Sequence, residues 1–179
     1  MTDEQLIREF EMTGASATLD VLVSRHIGRV RSMIYAMVLN DADADDLTQE
    51  VFLKAVRHLG RYRGRASFTT WLYRITMNTA KNFVRKRGRD KLELRDAELE
   101  QPDWRPVPSA QAMAHEEEHV LRGALARLPL RLRSAFSLVI LQGMSPQEAA
   151  HVEGCFLSTI YRRVEAARRE LAEAWRGVQ

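Results

Sequence analysis

The stretch from Ser67 to Arg89, SFTTWLYRITMNTAKNFVRKRGR, constrains this chain more than any other, because one helix has to carry two faces that cannot share an environment. Phe68, Leu72, Ile75, Thr79 and Phe83 recur at spacings of four, three, four and four, the period of a helix with one buried stripe. Arg74, Asn78, Lys81 and Arg85 share a different line that carries only cations and an amide, and Asn82, Lys86, Arg87 and Arg89 extend it toward the C-terminal end. The first line is core. The second must face water or a polyanion. Amides hydrogen-bond to base edges, guanidinium and ammonium groups neutralise phosphates, and the aromatics Tyr62, Phe68, Trp71 and Tyr73 lie close by, so this face suits a nucleic acid. Taken alone, the helix is also explained by a solvated basic face whose cations favour its C-terminal end.

The segments before it are helical. DEQLIREFEMTG sets Leu6, Ile7 and Phe10 at helical spacing and breaks at Gly14. From Ala17 to Leu39, the residues Leu19, Leu22, Val23, Ile27, Val30, Ile34, Met37 and Val38 form a second stripe, with Arg25, His26, Arg29 and Arg31 off it, so His26 reads as a surface or boundary histidine. Asn40 and DADADD supply a turn and several N-caps, after which Leu47, Val51, Phe52, Ala55, Val56 and Leu59 continue the pattern to Gly60. The outward side of that third helix starts acidic, at Asp45, Asp46, Gln49 and Glu50, and ends basic, at Lys54 and Arg57, which the helix dipole accounts for. The loop RYRGRAS, Arg61 to Ser67, has Gly64 at its middle and Ser67 placed to cap the next helix. With its cations and adjacent aromatics it could receive a base turned out of its stack, or it is a plain connecting turn.

Past Arg89 the character changes. DKLELRDAELEQPDWRPVPSAQAMAHEEE carries repeated Asp and Glu, prolines at Pro102, Pro106 and Pro108 and no sustained apolar stripe, and reads as an extended acidic linker. Its end contains His115-Glu116-Glu117-Glu118-His119, a match to H-E-x-x-H that on a helix would offer two imidazoles to zinc. No third ligand stands at a suitable downstream spacing, and glutamates are what a first helical turn favours. No metal or other cofactor is expected, and the phosphate-cradling and nucleophile signatures of common enzymes are missing as well.

The C-terminal part is compact and helical. Val120, Leu121, Ala124, Leu125 and Leu128 form a stripe ended by Pro129, and Leu132, Ala135, Phe136 and Val139 form another that closes before Gly143. Ser145-Pro146-Gln147-Glu148 is a capping box with proline at the first helical position. Gly154 sits where a C-cap glycine belongs, and Ser158 is placed to cap a last helix with Ile160, Val164, Ala167, Leu171 and Trp175 on its inner face. This is helix, tight turn, helix. Thr159, Tyr161, Arg162 and Arg163, followed by Arg168 and Arg169, suit a helix read into a major groove.

DADDLTQEVFLKA, FTTWLYRITMNTAKNF and MSPQEAAHVEGCFLSTIYRRVEAARREL resemble, in order and over nearly the whole chain, the signature regions of bacterial sigma factors of the extracytoplasmic-function group. The resemblance implies an all-α fold: two small helical domains, at 1–90 and 116–179, joined by a flexible acidic linker at 91–115, the C-terminal domain being a helix-turn-helix. It implies no enzymatic activity, a cytoplasmic protein, core RNA polymerase as partner through the beta-prime clamp and the beta flap, promoter DNA, and an anti-sigma factor. By position, Asp45, Asp46, Gln49, Glu50 and Leu53 would meet the polymerase. Tyr62, Arg63, Gly64, Arg65, Ser67, Phe68, Arg74, Asn78, Lys81, Asn82 and Arg85 would open and read the minus-ten element. Ser158, Thr159, Tyr161, Arg162, Arg163 and Arg168 would read the minus-thirty-five element. The last helix departs from the family pattern at Phe156, Leu157, Ser158, Tyr161, Arg162, Glu165 and Ala166, so the promoter sequence of relatives does not carry over, base readout being a matter of individual side chains.

Composition agrees with this. A hydrophobic fraction of 45% over 179 residues is enough for one medium or two small folded domains, a pI near 9.3 with clustered arginines favours a polyanionic partner, and a single cysteine, Cys155, excludes an internal disulfide. No apolar run approaches a membrane span or a signal-peptide core, so no membrane insertion is expected. The main alternative is a helix-turn-helix DNA-binding regulator that acts without polymerase, which would leave the amide and aromatic residues of the Ser67–Arg89 stretch without a task.

Overall fold

The computed structural model describes residues 1–93 and 122–176, with side-chain surroundings at 1–89 and 122–173. The expected linker, the His115–His119 motif, Val120 and Leu121 and the side chain of Trp175 lie outside the described residues. Within them every regular element is helical, and no helix is long and apolar enough to cross a membrane.

Helix α1 spans Asp3–Thr13, α2 Ser16–Val38, α3 Asp41–His58 and α4 Phe68–Glu93. A helical segment at 122–127, here α5, precedes α6 (Leu130–Phe136), α7 (Pro146–Glu153) and α8 (Leu157–Arg176). Local chemistry sets the boundaries. Thr2 and Gln5 form a reciprocal capping box at the start of α1, and Gly14 in the left-handed region, φ 65°, ends it. Asn40 Oδ1 accepts from Asp43 N at 2.9 Å to start α3. A single 3-10 turn at Leu59–Arg61 closes α3 before the loop, and Ser67 Oγ accepts from Thr70 N at 3.2 Å to start α4. Ser145 and Glu148 form the expected capping box, and the hydrogen bonds from Ser145 hold the Glu148 carboxyl below its ordinary range.

Helix α6 runs on through a π-helical turn, Ser137–Leu141, and closes before Gly143 as its spacing suggests; Leu138 is buried there, with Val139 and Ile140 both packed against the same core. One boundary falls elsewhere. Helix α8 begins at Leu157, so Ser158 sits inside the first turn instead of capping it.

The N-terminal helices close on Leu22, Val30, Met33, Ile34, Met37, Leu47, Val51, Phe68, Leu72, Tyr73 and Met77, all buried. Four residues differ from their expected placement. His26 is buried, its Nε2 2.7 Å from Asp3 Oδ2, whereas Ile27 is 45% exposed, so at this one turn of α2 the inward place is taken by the preceding residue. Val56 of α3 faces out. Tyr73, one of the aromatics expected near the basic line, is fully buried.

The same core continues into α6, α7 and α8 through Ala135, Leu138, Ala149, Val152 and Ile160, so the two helical units pack together. Polar groups cross the junction too. Arg133 of α6 is buried, which pushes its pKa down, and its Nη1 donates to Met37 O at 2.9 Å, at the end of α2 where helix carbonyls lack partners. Gln142 Nε2 donates to Ser32 Oγ at 3.0 Å, and Arg122 bonds the Tyr35 hydroxyl and lies over its ring.

Candidate nucleic-acid interface

The glycine loop forms one wall of a cleft of about 350 Å³ lined by Arg61, Tyr62, Arg63, Arg65, Thr70, Trp71, Arg74 and His151. Gly64 has φ 66°, in the left-handed region, and a side-chain carbon there would meet open space; the position needs glycine for its backbone and not for room. Tyr62 donates its hydroxyl to Ala66 O at 2.8 Å, which folds the loop back on itself. Burial, then the charges of Glu4 and Asp3, pushes its phenol above the ordinary value, so Tyr62 stays neutral. Tyr62 and Trp71 are half-buried with ring centroids 5.6 Å apart, and both rest on Phe68, at 5.9 and 5.6 Å.

Phe68 itself is only 2% exposed. It therefore has no free face for a base, and the aromatic surface of the cleft is supplied by Tyr62 and Trp71. Trp71 and Arg61 line the cleft although position in the sequence does not assign them to it; a signal for Trp71 exists, since it lies three residues after Phe68 and one helical turn from Arg74. Arg63, Arg65 and Ser67 are exposed around the rim.

The basic line of α4 emerges as expected in direction, with Asn78, Asn82, Arg85, Lys86 and Arg89 outermost. Several of its cations are already engaged. Arg74 donates to the backbone carbonyl of His151, and Lys81 Nζ lies 2.5 Å from Glu153 Oε1; both acceptors belong to α7. Arg87 is paired with Asp43 at the start of α3 and stacks over Phe83.

Glu153 is the centre of this junction. Its side chain is 3% exposed and accepts from Lys81, from Ser134 Oγ at 2.5 Å and from Arg163 Nη1 at 3.2 Å. Arg163, assigned to base reading by position, is thus directed at the end of α7, with Cys155 Sγ at 3.9 Å and only 19% of its side chain exposed. Ser158, Thr159, Tyr161, Arg162 and Arg168 stand on the outer side of α8, where solvent reaches them. Phe156, at the turn before it, is 83% exposed.

On the opposite flank, Asp45, Asp46, Gln49, Glu50 and Leu53 all stand exposed along α3. Arg31 binds Asp45 at 2.6 Å and Asp41 at 2.8 Å, which holds the Asp45 carboxyl below its ordinary range, and Glu50 pairs with Lys54 one turn on at 2.5 Å. Asp46, Gln49 and Leu53, the last 59% exposed, remain as an acidic and apolar strip. Among the described residues no group of His, Cys, Asp and Glu is arranged to hold a metal ion.

Residues 22–90 match the family model for sigma-70 region 2, and residues 118–171 match that for sigma-70 region 4. The chain is 33% identical to the RNA polymerase sigma-H factor of Pseudomonas aeruginosa over 96% of its own length and 93% of the relative's. It is 31% identical to the ECF RNA polymerase sigma-E factor of Haemophilus influenzae, over 94% and 92%. Among solved structures it is similar to CnrH in complex with the cytosolic domain of CnrY, with a TM-score of 0.76 over 99% of both chains at 22% identity. It is also similar to the sigma factor RpoE in complex with the anti-sigma factor NepR from Bartonella quintana, with a TM-score of 0.71 over 88% of this chain and 96% of that one at 24% identity. The chain therefore belongs to the extracytoplasmic-function sigma factors, proteins that act with RNA polymerase in transcription initiation.

Proposed function

We propose that this chain, in the cytoplasm and without enzymatic activity of its own, delivers core RNA polymerase to promoters and opens them by capturing a base in the cleft between Tyr62, Trp71 and the loop arginines. The single observation that carries the reading is that cleft: an aromatic wall ringed by Arg61, Arg63, Arg65 and Arg74, with the exposed amides Asn78 and Asn82 about one and two turns further along α4 from Arg74. Aromatic faces give a flipped base the stacking it loses, and the arginines meet the phosphates of a strand held beside it. Opening without ATP requires that such interactions offset unstacking and unpairing, a few kcal/mol for each base extracted.

The remaining roles follow from position. Residues 1–90 form the unit that binds the polymerase clamp and the minus-ten element, with Asp46, Gln49 and Leu53 at the centre of the docking strip and Asp45 and Glu50 at its edge. Residues 116–179 form the unit for the minus-thirty-five element and the beta flap, with 91–115 between them. Ser158, Thr159, Tyr161, Arg162 and Arg168 enter the major groove, while Arg163 holds α7 against α8. Because Arg74 and Lys81 are engaged with α7, the two units have to separate before both can meet DNA. One similar solved structure pairs a sigma factor with an anti-sigma factor, which makes a partner of that kind the natural holder of this chain in an inactive state.

Co-elution with core polymerase tests the polymerase assignment. Charge reversal at Asp46 and Glu50 should weaken core binding while leaving helicity and melting temperature nearly unchanged, since surface pairs such as Glu50–Lys54 contribute little. Binding as tight as wild type would remove the docking strip from α3. A helix-turn-helix regulator acting alone would not co-elute at all.

A further inference from the structure

The first turn of α1 lies upstream of the residues matched by region 2, yet it is wired to the buried ring on which the aromatic wall of the cleft rests. Asp3 Oδ2 accepts from His26 Nε2 at 2.7 Å, a hydrogen bond in which the carboxylate can only accept and the imidazole N–H donates. The His26 ring meets Phe68 edge to face, with centroids 5.6 Å apart and planes at 65°. Phe68 in turn carries Tyr62 and Trp71. The imidazole is buried and the Asp3 side chain 17% exposed, so solvent does little to replace their bond. The other carboxylate oxygen of Asp3 takes Arg25 Nη1 at 3.0 Å, on the outer side of α2. The Thr2–Gln5 capping box fixes the turn that presents Asp3.

From this arrangement we infer that Asp3 and His26 are positioning residues for base capture: they fix the tilt of Phe68 and, through it, the spacing of Tyr62 and Trp71 on the cleft wall. The effect on Tyr62 of the negative charges of Glu4 and Asp3 agrees with how close the α1 turn stands to the cleft. An imidazole without its acceptor can rotate about its side-chain bonds, and the edge-to-face packing that orients Phe68 then fails. Stacking on Tyr62 and Trp71 depends on ring placement, whereas groove binding by α8 and docking by α3 do not. The inference rests on the reading of the cleft as the site of the captured base.

The test uses the full chain assembled with core polymerase, and as probe the single non-template strand of a promoter that the wild-type holoenzyme opens. Asp3→Ala should lower affinity for that strand about tenfold, the scale of losing well-placed stacking on one base. It should leave core binding and binding to the upstream duplex element unchanged. Asp3→Asn, which keeps an oxygen toward the imidazole, should recover most of the affinity, and Arg25→Ala, which removes only the outer partner, should behave as wild type. Wild-type affinity in Asp3→Ala would overturn the inference. So would a loss in Asp3→Ala that Asn fails to restore, or one that core binding and upstream-duplex binding share equally, because either is what mere unravelling of α1 would produce. A wild-type holoenzyme that does not hold the strand would instead overturn the assignment of the cleft.

Discussion

Replacing Lys81 by methionine separates its two roles, because the structure shows what it holds and the sequence what it would touch. Its side chain is 13% exposed and that of Glu153 3%, so their ion pair at 2.5 Å is poorly screened by salt. Methionine keeps the apolar stem and deletes the charge. Glu153 is not stranded, because Ser134 at 2.5 Å and Arg163 at 3.2 Å still donate to it. The penalty of about 3–5 kcal/mol for an orphaned buried charge therefore does not apply. What disappears is one hydrogen bond between charged groups, about 1.5–3 kcal/mol, and it disappears only from the packed arrangement of the two units. At about 2 kcal/mol the ratio of separated to packed molecules rises about thirty-fold. Single-molecule energy transfer between dyes at Ser24 and Arg169, both exposed, reads this directly once Cys155 is replaced by serine. Lys86→Met removes the same charge from an exposed position on the same helix and should leave the distribution as it was. A Lys81→Met chain with the transfer distribution of wild type would refute the claim that this pair helps hold the units together.

At Gly64, whose φ is 66°, a β-branched residue should strain the loop by roughly 1–2 kcal/mol and reduce permanganate-reactive open complex without changing core binding. Asn78→Ala should do the same, but a template with a pre-opened bubble should rescue the Gly64 variant more than the Asn78 variant, whose base partner is still missing. Arg162→Ala should lower discrimination at the upstream element by about 1–3 kcal/mol in a binding-site selection. Arg163→Ala should instead lower the melting temperature, since it removes a partner from buried Glu153. Alanine at Lys86 or Arg89 should weaken DNA binding uniformly across sequences and reduce the salt slope by about one for each phosphate no longer neutralised.

The helices were legible because their apolar spacing and caps are local. Gly14, Asn40, Ser67, the Ser145–Glu148 box and Gly154 all act within a few residues of themselves. Periodicity was less able to choose between adjacent positions on a wide stripe. His26 and Ile27 are neighbours on α2, and only the distant Asp3 supplies the acceptor that lets the imidazole be buried. Phe68 reads in sequence as both core and site, and its 2% exposure places it in the core, beneath Tyr62 and Trp71. What sequence could not show was the joining of the two units. Lys81 and Glu153 are 72 residues apart, and a lysine on a basic face looks free until its partner is placed. Arg163 is a similar case: its place in the first turns of α8 suggests groove reading, while its side chain turns back to Glu153 and Cys155. The π-helical turn in α6 has no signature in SLVIL that would distinguish it from a continuing α-helix.

Run-off transcription with core polymerase on a randomised promoter library, followed by sequencing of the transcribed templates, asks most directly whether this chain brings polymerase to promoters and opens them through the α4 cleft. Transcripts should depend on the chain, and the templates should be enriched for two elements at a fixed spacing. Asn78→Ala should lose the preference at the downstream element alone. Transcription no greater than that of core polymerase by itself, or enrichment of an upstream element with no downstream partner, would rule out that role.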